Sequence, residues 1–166
     1  MEIRLLAKNR PENRLKIAKT GAVKPLISLI SSSDSQLQEY GVTAIFNLSL
    51  CDENKGLIAS SGAIKPLPRA LKTGTSMAKE NAACALLRLS QLEENKVAIG
   101  LSGVIPLLEN KIKAVQAGIM KPLVELSAFV LSMLVTVPEA KTAVVEEAGI
   151  PVLVEIVEAA TNIFCY

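Results

Sequence analysis

Histidine is absent from this 166-residue chain. Its absence removes the commonest general base, the Ser-His and Cys-His nucleophile pairs, and most zinc-site patterns together. Tryptophan is absent too, and aromatic residues make up only 3% of the sequence, too few for the base-stacking platforms of nucleic-acid binders. The formal charge of +2 is likewise too small for the strongly basic patch that such proteins carry. The three cysteines, Cys51, Cys84 and Cys165, are far apart, odd in number and form no C-x-x-C pair. A disulfide framework or metal knuckle therefore has no support, and a reducing compartment fits. The most apolar run, Leu126 to Val137, is too short to span a bilayer. Met1 to Lys8 mixes Glu2, Arg4 and Lys8 into its apolar residues, unlike a signal peptide. The expectation is a soluble, non-catalytic protein of the cytoplasm or nucleus, with no cofactor, metal, nucleic acid or membrane partner.

What the chain does have is a phrase that returns every 41 residues: Asn13, Ile17 and Gly21 recur as Asn54, Ile58 and Gly62, then as Asn95, Ile99 and Gly103. Glu12/Glu53/Glu94, Lys24/Lys65, Pro25/Pro66, Leu26/Leu67, Glu39/Glu80, Ala44/Ala85, Leu48/Leu89 and Ser49/Ser90 stand in the same register. A period of this length belongs to two- or three-helix solenoid units, because a propeller blade of similar size needs aromatic and β-branched strands. The fold class is all-α. With half its residues apolar, the chain can bury a continuous core across about four repeats.

Within the best repeat, Asn13 to Thr20 reads as a short basic helix and Gly21 as a break. Lys24 to Ile30 begins a second helix with Pro25 in its first turn. Ser31 to Ser35 forms the loop, and Ser35 with Gln38 fits a capping box for a longer third helix reaching about Leu50. Leu37, Gly41, Ala44, Ile45 and Leu48 make its core stripe, matched by Ala78, Ala82, Ala85, Leu86 and Leu89 one repeat later. The small residues Gly41 and Ala82 suit a close helix approach. One step around each third helix, Gln36, Tyr40, Thr43 and Asn47 share a face, with Met77, Asn81, Cys84 and Arg88 in the same places one period on. These eight are the candidate partner-binding residues, and a merely solvated face is the competing reading for each. Cys84 has no histidine to activate it and reads as an ordinary helical cysteine. Ser31 to Ser35, around Asp34, is a candidate phosphorylation loop at a helix N-terminus, though serine-rich loops occur there by default.

Gly62 to Leu67 (Gly-Ala-Ile-Lys-Pro-Leu), Glu80 to Ser90 (Glu-Asn-Ala-Ala-Cys-Ala-Leu-Leu-Arg-Leu-Ser) and Glu93 to Lys96 (Glu-Glu-Asn-Lys) resemble plant armadillo-repeat proteins, most of all the arrays that follow the U-box in plant ubiquitin-protein ligases. The resemblance extends to about Val157. It implies a right-handed superhelix whose third helices line a groove for an extended protein segment, with the Asn47 and Arg88 positions bonding that segment's backbone. Thr43 and Cys84 hold the place where nuclear-import receptors of this fold carry Trp, so Trp-based capture of localisation signals is not expected. The U-box has no counterpart in this chain, so ligase activity is not carried over.

The period then breaks. After Gly103 the Asn-Lys phrase returns early, at Asn110 with its glycine at Gly118, so roughly 26 residues of a repeat are missing and a third helix is lost after Leu108. Pro106 to Gln116 and Pro122 to Val137 are each expected to fuse into single helices, the second across a Gly118 to Gly149 interval of 31 residues. The array, residues 1–160 with phrases starting near 13, 54, 95, 110 and 139, opens in mid-repeat, Ile3 to Glu12 matching Ala44 to Glu53, and an irregular tail fills 161–166. Neither end reads as a polar cap, so self-association or marginal stability is expected. The pattern suggests a truncated or alternatively spliced product. Charge is uneven as well. Residues 1 to 24 hold seven Lys/Arg against two Glu, while residues 138 to 158 hold five Glu against Lys141; solvated helix faces are the plainer reading. Three functions follow: a non-catalytic scaffold, the substrate-recognition part of a U-box ligase, or a product with no function of its own.

Overall fold

A computed structural model describes residues 2–104. The regions around Pro106 to Gln116 and Pro122 to Val137, the second deletion, the phrases at Asn110 and Glu139, Cys165 and the tail 161–166 lie outside the described residues. Within them the chain is a run of helices: α1 (Glu2–Asn9), α2 (Pro11–Lys19), α3 (Val23–Ile30), α4 (Ser35–Ser49), α5 (Asp52–Ser60), α6 (Leu67–Thr73), α7 (Ser76–Leu89), a 3-10 turn (Glu93–Asn95) and α8 (Lys96–Gly100). No strand occurs among the described residues. Each unit is a short first helix (α2, α5), a second helix (α3, α6) and a long third helix (α4, α7); α1 is the closing part of a preceding third helix. The architecture is an α-solenoid.

Local chemistry sets these boundaries. Arg10 is extended, as a residue before proline tends to be, and Pro11 opens α2 in the first turn, where a missing N–H costs nothing. Gly21, Gly62 and Gly103 end the first helices at φ of +81°, +92° and +78°, a left-handed turn that an L side chain enters only with strain. The expected capping box at Ser35 is replaced by a neighbour. Asp34 is extended, and its Oδ1 accepts the N–H groups of Gln36 at 2.8 Å and Leu37 at 3.1 Å, so a carboxylate serves as the cap one residue earlier. Gln38 does not reach back to this cap. Its Nε2 donates to the carbonyl of Ile30 at 3.0 Å, a buried bond joining α4 to the end of α3. At α7 the corresponding cap is Thr75, whose Oγ1 accepts from the Ala78 N–H at 3.1 Å.

The core is one cluster running through all the units, with Ile30, Ile45, Leu48, Ile58, Leu67, Leu86, Leu89 and Ile99 fully enclosed. Burying each such side chain stabilises by about 1.5–3 kcal/mol. The expected stripe of α7 is wholly inside, and Gly41, Ala44, Ile45 and Leu48 of α4 are buried as expected. Leu37 is the exception, 42% exposed: it has the right helical phase, but α1 pairs in register only with the later part of α4. At Gly41 an added Cβ would stand 2.8 Å from Leu29 Cβ and 2.9 Å from the Leu26 carbonyl, so α3 and α4 touch at a point where only glycine fits.

The repeating asparagine has a structural role. Asn54 Nδ2 donates to the carbonyls of Leu48 and Arg14, each at 3.1 Å, and Asn95 Nδ2 donates to Leu89 at 2.9 Å. Each amide thereby ties a first helix to the last turn of the third helix before it, adding a second donor to carbonyls that also accept a backbone N–H, Cys51 to Leu48 and Leu92 to Leu89. In the first unit the matching carbonyl, Ala7, accepts from Arg14 Nε at 2.9 Å instead.

Candidate functional site

The third helices α1, α4 and α7 lie side by side, and the eight candidate residues on α4 and α7 fall along their shared face. Gln36 and Met77 are exposed near the helix starts; Tyr40, Thr43, Cys84 and Arg88 are half-buried; Asn47 and Asn81 are buried. The two asparagines are drawn into the scaffold. Asn81 Nδ2 donates to Thr43 Oγ1 at 2.9 Å, and Asn47 Nδ2 donates to the Arg4 carbonyl at 3.1 Å. The Arg4 guanidinium stacks over Tyr40, 4.6 Å from the ring centroid, and Thr75 donates its hydroxyl to Glu39 Oε2 at 2.6 Å. Successive third helices are therefore laced together by side-chain pairs. The face left accessible is formed by Gln36, Tyr40, Met77, Cys84 and Arg88, a mixture of amide, aromatic, thioether and cation.

A second set of charges escaped the sequence reading although the 41-residue register contains it. Arg14, Lys55 and Lys96 form a column, and Asp52 and Glu93 stand three residues ahead of the last two. Lys55 is 4% exposed; its Nζ pairs with Asp52 Oδ1 at 2.5 Å and also donates to Gln91 Oε1. Lys96 repeats the pair with Glu93. Arg14 has Pro11 where the acid would be and donates to the carbonyls of Ala7 and Lys8. Arg14 thereby ties α2 to the end of α1, and Lys55 ties α5 to Gln91 just beyond α7. The hydrogen bond and charge of Lys55 hold the Asp52 carboxyl below the usual carboxylate range, and Arg88 on the candidate face adds a smaller pull in the same direction.

Cys51 sits beside this cluster. Its Sγ–H donates to Glu53 Oε2 at 2.9 Å. Partial burial first, then the bond to Glu53, pushes the thiol above its ordinary value, while the same bond lowers Glu53. A raised thiol pKa is the reverse of what a nucleophilic cysteine needs. Among the described residues no group of three or more Cys, Asp or Glu is placed to hold a metal ion, and no helix is long and apolar enough to cross a membrane.

Stacked three-helix units joined through their third helices define an armadillo-repeat array, and residues 10–50 and 51–91 each match the armadillo/beta-catenin-like repeat. Residues 10–91 are thus two armadillo repeats, whose boundaries agree with the helices. Among individual proteins, the chain is similar to U-box domain-containing protein 13 of Arabidopsis thaliana, 53% identical over 53 residues. It is also similar to U-box domain-containing protein 1 of Medicago truncatula, 56% identical over 54 residues, and to E3 ubiquitin-protein ligase SPL11 of Oryza sativa subsp. japonica, 52% identical over 52. Each match covers 31–32% of this chain and 8% of the relative. The chain therefore spans only a small part of the length of the proteins it matches.

Proposed function

We propose that this chain is a non-catalytic scaffold that holds an extended segment of a protein partner along the face of α4 and α7. The observation that carries the reading is the lacing of consecutive third helices, which keeps Gln36, Tyr40, Met77, Cys84 and Arg88 on one pre-arranged surface, so little ordering cost falls on binding. Tyr40 supplies a rigid aromatic anchor and Arg88 a cation, the residue types that dominate interface energetics. Asn47 and Asn81 serve this surface as braces. The test is a pull-down from plant extract with the chain and with a Tyr40→Ala, Arg88→Ala double variant, followed by mass spectrometry. A partner retained by the parent and lost from the variant is the expected result; identical recoveries from both baits would sink the reading. Capture in cytoplasmic and nuclear fractions tests the proposed location.

A second reading is favoured by the relatives' names: the array recognises substrates for a U-box type ubiquitin ligase. Here the ubiquitin-transferring module is supplied by another polypeptide or another part of a longer one. With E1 and E2 alone, no autoubiquitination is expected from the 166-residue chain, and a captured partner becomes modified only when a U-box is added. Activity of the chain by itself would overturn the non-catalytic assignment. A product without independent function, by contrast, would give a non-cooperative circular dichroism melt and a short cellular half-life.

A further inference from the structure

The second helices carry a charged face that the candidate site does not use. Lys24, Ser28 and Ser31 follow one another at i, i+4 and i+7 along α3 to its end, and Lys65, Arg69 and Lys72 take the same places one period later, from just before α6 along that helix. All six are exposed, while Leu26, Ile30, Leu67, Ala70 and Leu71 between them are buried. The six therefore share the outer side of the two helices. The columns are also adjacent in space, since Arg69 Nη1 reaches from α6 to donate to the Ser31 carbonyl at 3.5 Å.

This face is of one sign. Residues 20–33 and 54–79 contain no Asp or Glu, and Lys24, Lys65, Arg69 and Lys72 form no ion pair among the described residues. Asp34, the acid that follows α3, is committed to the N–H groups of Gln36 and Leu37. Cations of the first helices are treated differently, Lys55 being answered by Asp52 and Lys96 by Glu93. The ridge is thus complementary to an anion from outside. None of the exposed large apolar side chains among the described residues belongs to α3 or α6, so the ridge has nothing to insert into a membrane. Neither helix has an aromatic residue on which a base could stack. Carboxylates on a protein segment fit best. Adjacent helices lie about 8–10 Å apart, and Lys65 to Lys72 spans about 10 Å at helical rise. An extended chain covers either distance in about three residues, so a run of about six acidic residues reaches all four cations. Arg69 can hold a carboxylate through two N–H groups at once.

We infer that the ridge of α3 and α6 docks an Asp/Glu-rich segment of a partner protein, held by Lys24, Lys65, Arg69 and Lys72. This surface is separate from the face of α4 and α7, and the two are tested apart. Fluorescence anisotropy of a fluorescein-labelled hexaglutamate peptide is measured against the 166-residue chain. Binding that weakens as salt rises is expected. Lys65→Glu with Lys72→Glu reverses two exposed cations that form no ion pair or side-chain hydrogen bond among the described residues, and is expected to lower affinity by roughly tenfold or more. Lys24→Glu repeats the test on the other helix and is expected to weaken binding as well. Lys16→Glu with Lys19→Glu makes the same change in net charge on α2, and this control is expected to bind the peptide as the parent does. So is the Tyr40→Ala, Arg88→Ala variant, which separates the ridge from the α4 and α7 face. Circular dichroism melts that match the parent show that the variants are folded. Absence of peptide binding, an equal loss from the Lys16 and Lys19 reversal, or tighter binding to phosphatidylserine vesicles or to hexathymidylate than to the peptide would overturn the proposal.

Discussion

At the residue scale, glycine serves two different purposes here, and mutation separates them. Gly41 is inside a helix and allows α3 to lie against α4, with backbone and Leu29 in the space a methyl group would occupy. Gly21 has open space around its Cβ position but a φ of +81°. Gly41→Ala is expected to cost about 1–3 kcal/mol through overpacking, and Gly21→Ala about 1–2 kcal/mol through left-handed strain alone. Urea unfolding measures both, and a further step to Val should worsen position 41 sharply. The Asp52–Lys55 pair gives a pH signature. Because the folded-state carboxyl is depressed by Lys55, its contribution is present above the unfolded carboxylate pKa and is lost as pH falls through the lower folded value. Asp52→Asn should flatten that part of the acid limb of stability; an unchanged limb would show that other carboxylates govern it. The glycine turns and the small residue at position 41 were legible from the sequence because one residue type answers one local constraint. The bonding of Asn47 and Asn81 was not, since each depends on a neighbour some forty positions away: Arg4 and Thr43 respectively.

At the scale of the helices, the periodic pattern gave element type and order, and the differences arose at ends. The third helix was expected from Ser35 to about Leu50 and runs from Ser35 to Ser49, but its cap is Asp34. Two adjacent residues both able to cap cannot be ranked by spacing alone; the extended backbone at Asp34 decides between them. Asp34→Ala should therefore lower stability by about 1 kcal/mol, while Ser35→Ala should leave it nearly unchanged in the same denaturation experiment. Leu37 shows the limit of amphipathic phase as a guide. Its phase points it to the core side, yet burial needs a neighbour that reaches the first turn of α4, and α1 does not. Likewise the candidate face was legible as a face, whereas the division into braces and accessible side chains required the neighbouring helices.

At the scale of the whole molecule, stability in a solenoid is a sum over units and the interfaces between adjacent ones. The described region has Ile45, Leu48, Leu86 and Leu89 fully enclosed in the long helices α4 and α7, whereas α1 leaves Ile3, Leu5 and Leu6 exposed. Native-state hydrogen exchange should accordingly show strongest protection in α4 and α7 and fast exchange through α1. Uniform protection across all three would mean that the units unfold as one block. Within the described residues the three-helix unit was legible from the recurrence of Asn, Ile and Gly at 41-residue intervals, because one structural unit imposes the same demands each time it is built.

The lacing of third helix to third helix also determines how the array responds to load. Arg4 with Tyr40 and Asn47, then Thr43 with Asn81, are links in series, so tension along the array passes through each junction in turn. A pulled array yields at its weakest junction and gives way unit by unit. Each 41-residue unit that opens pays out about 140 Å of chain, which makes the fold an extensible tether whose length changes in steps.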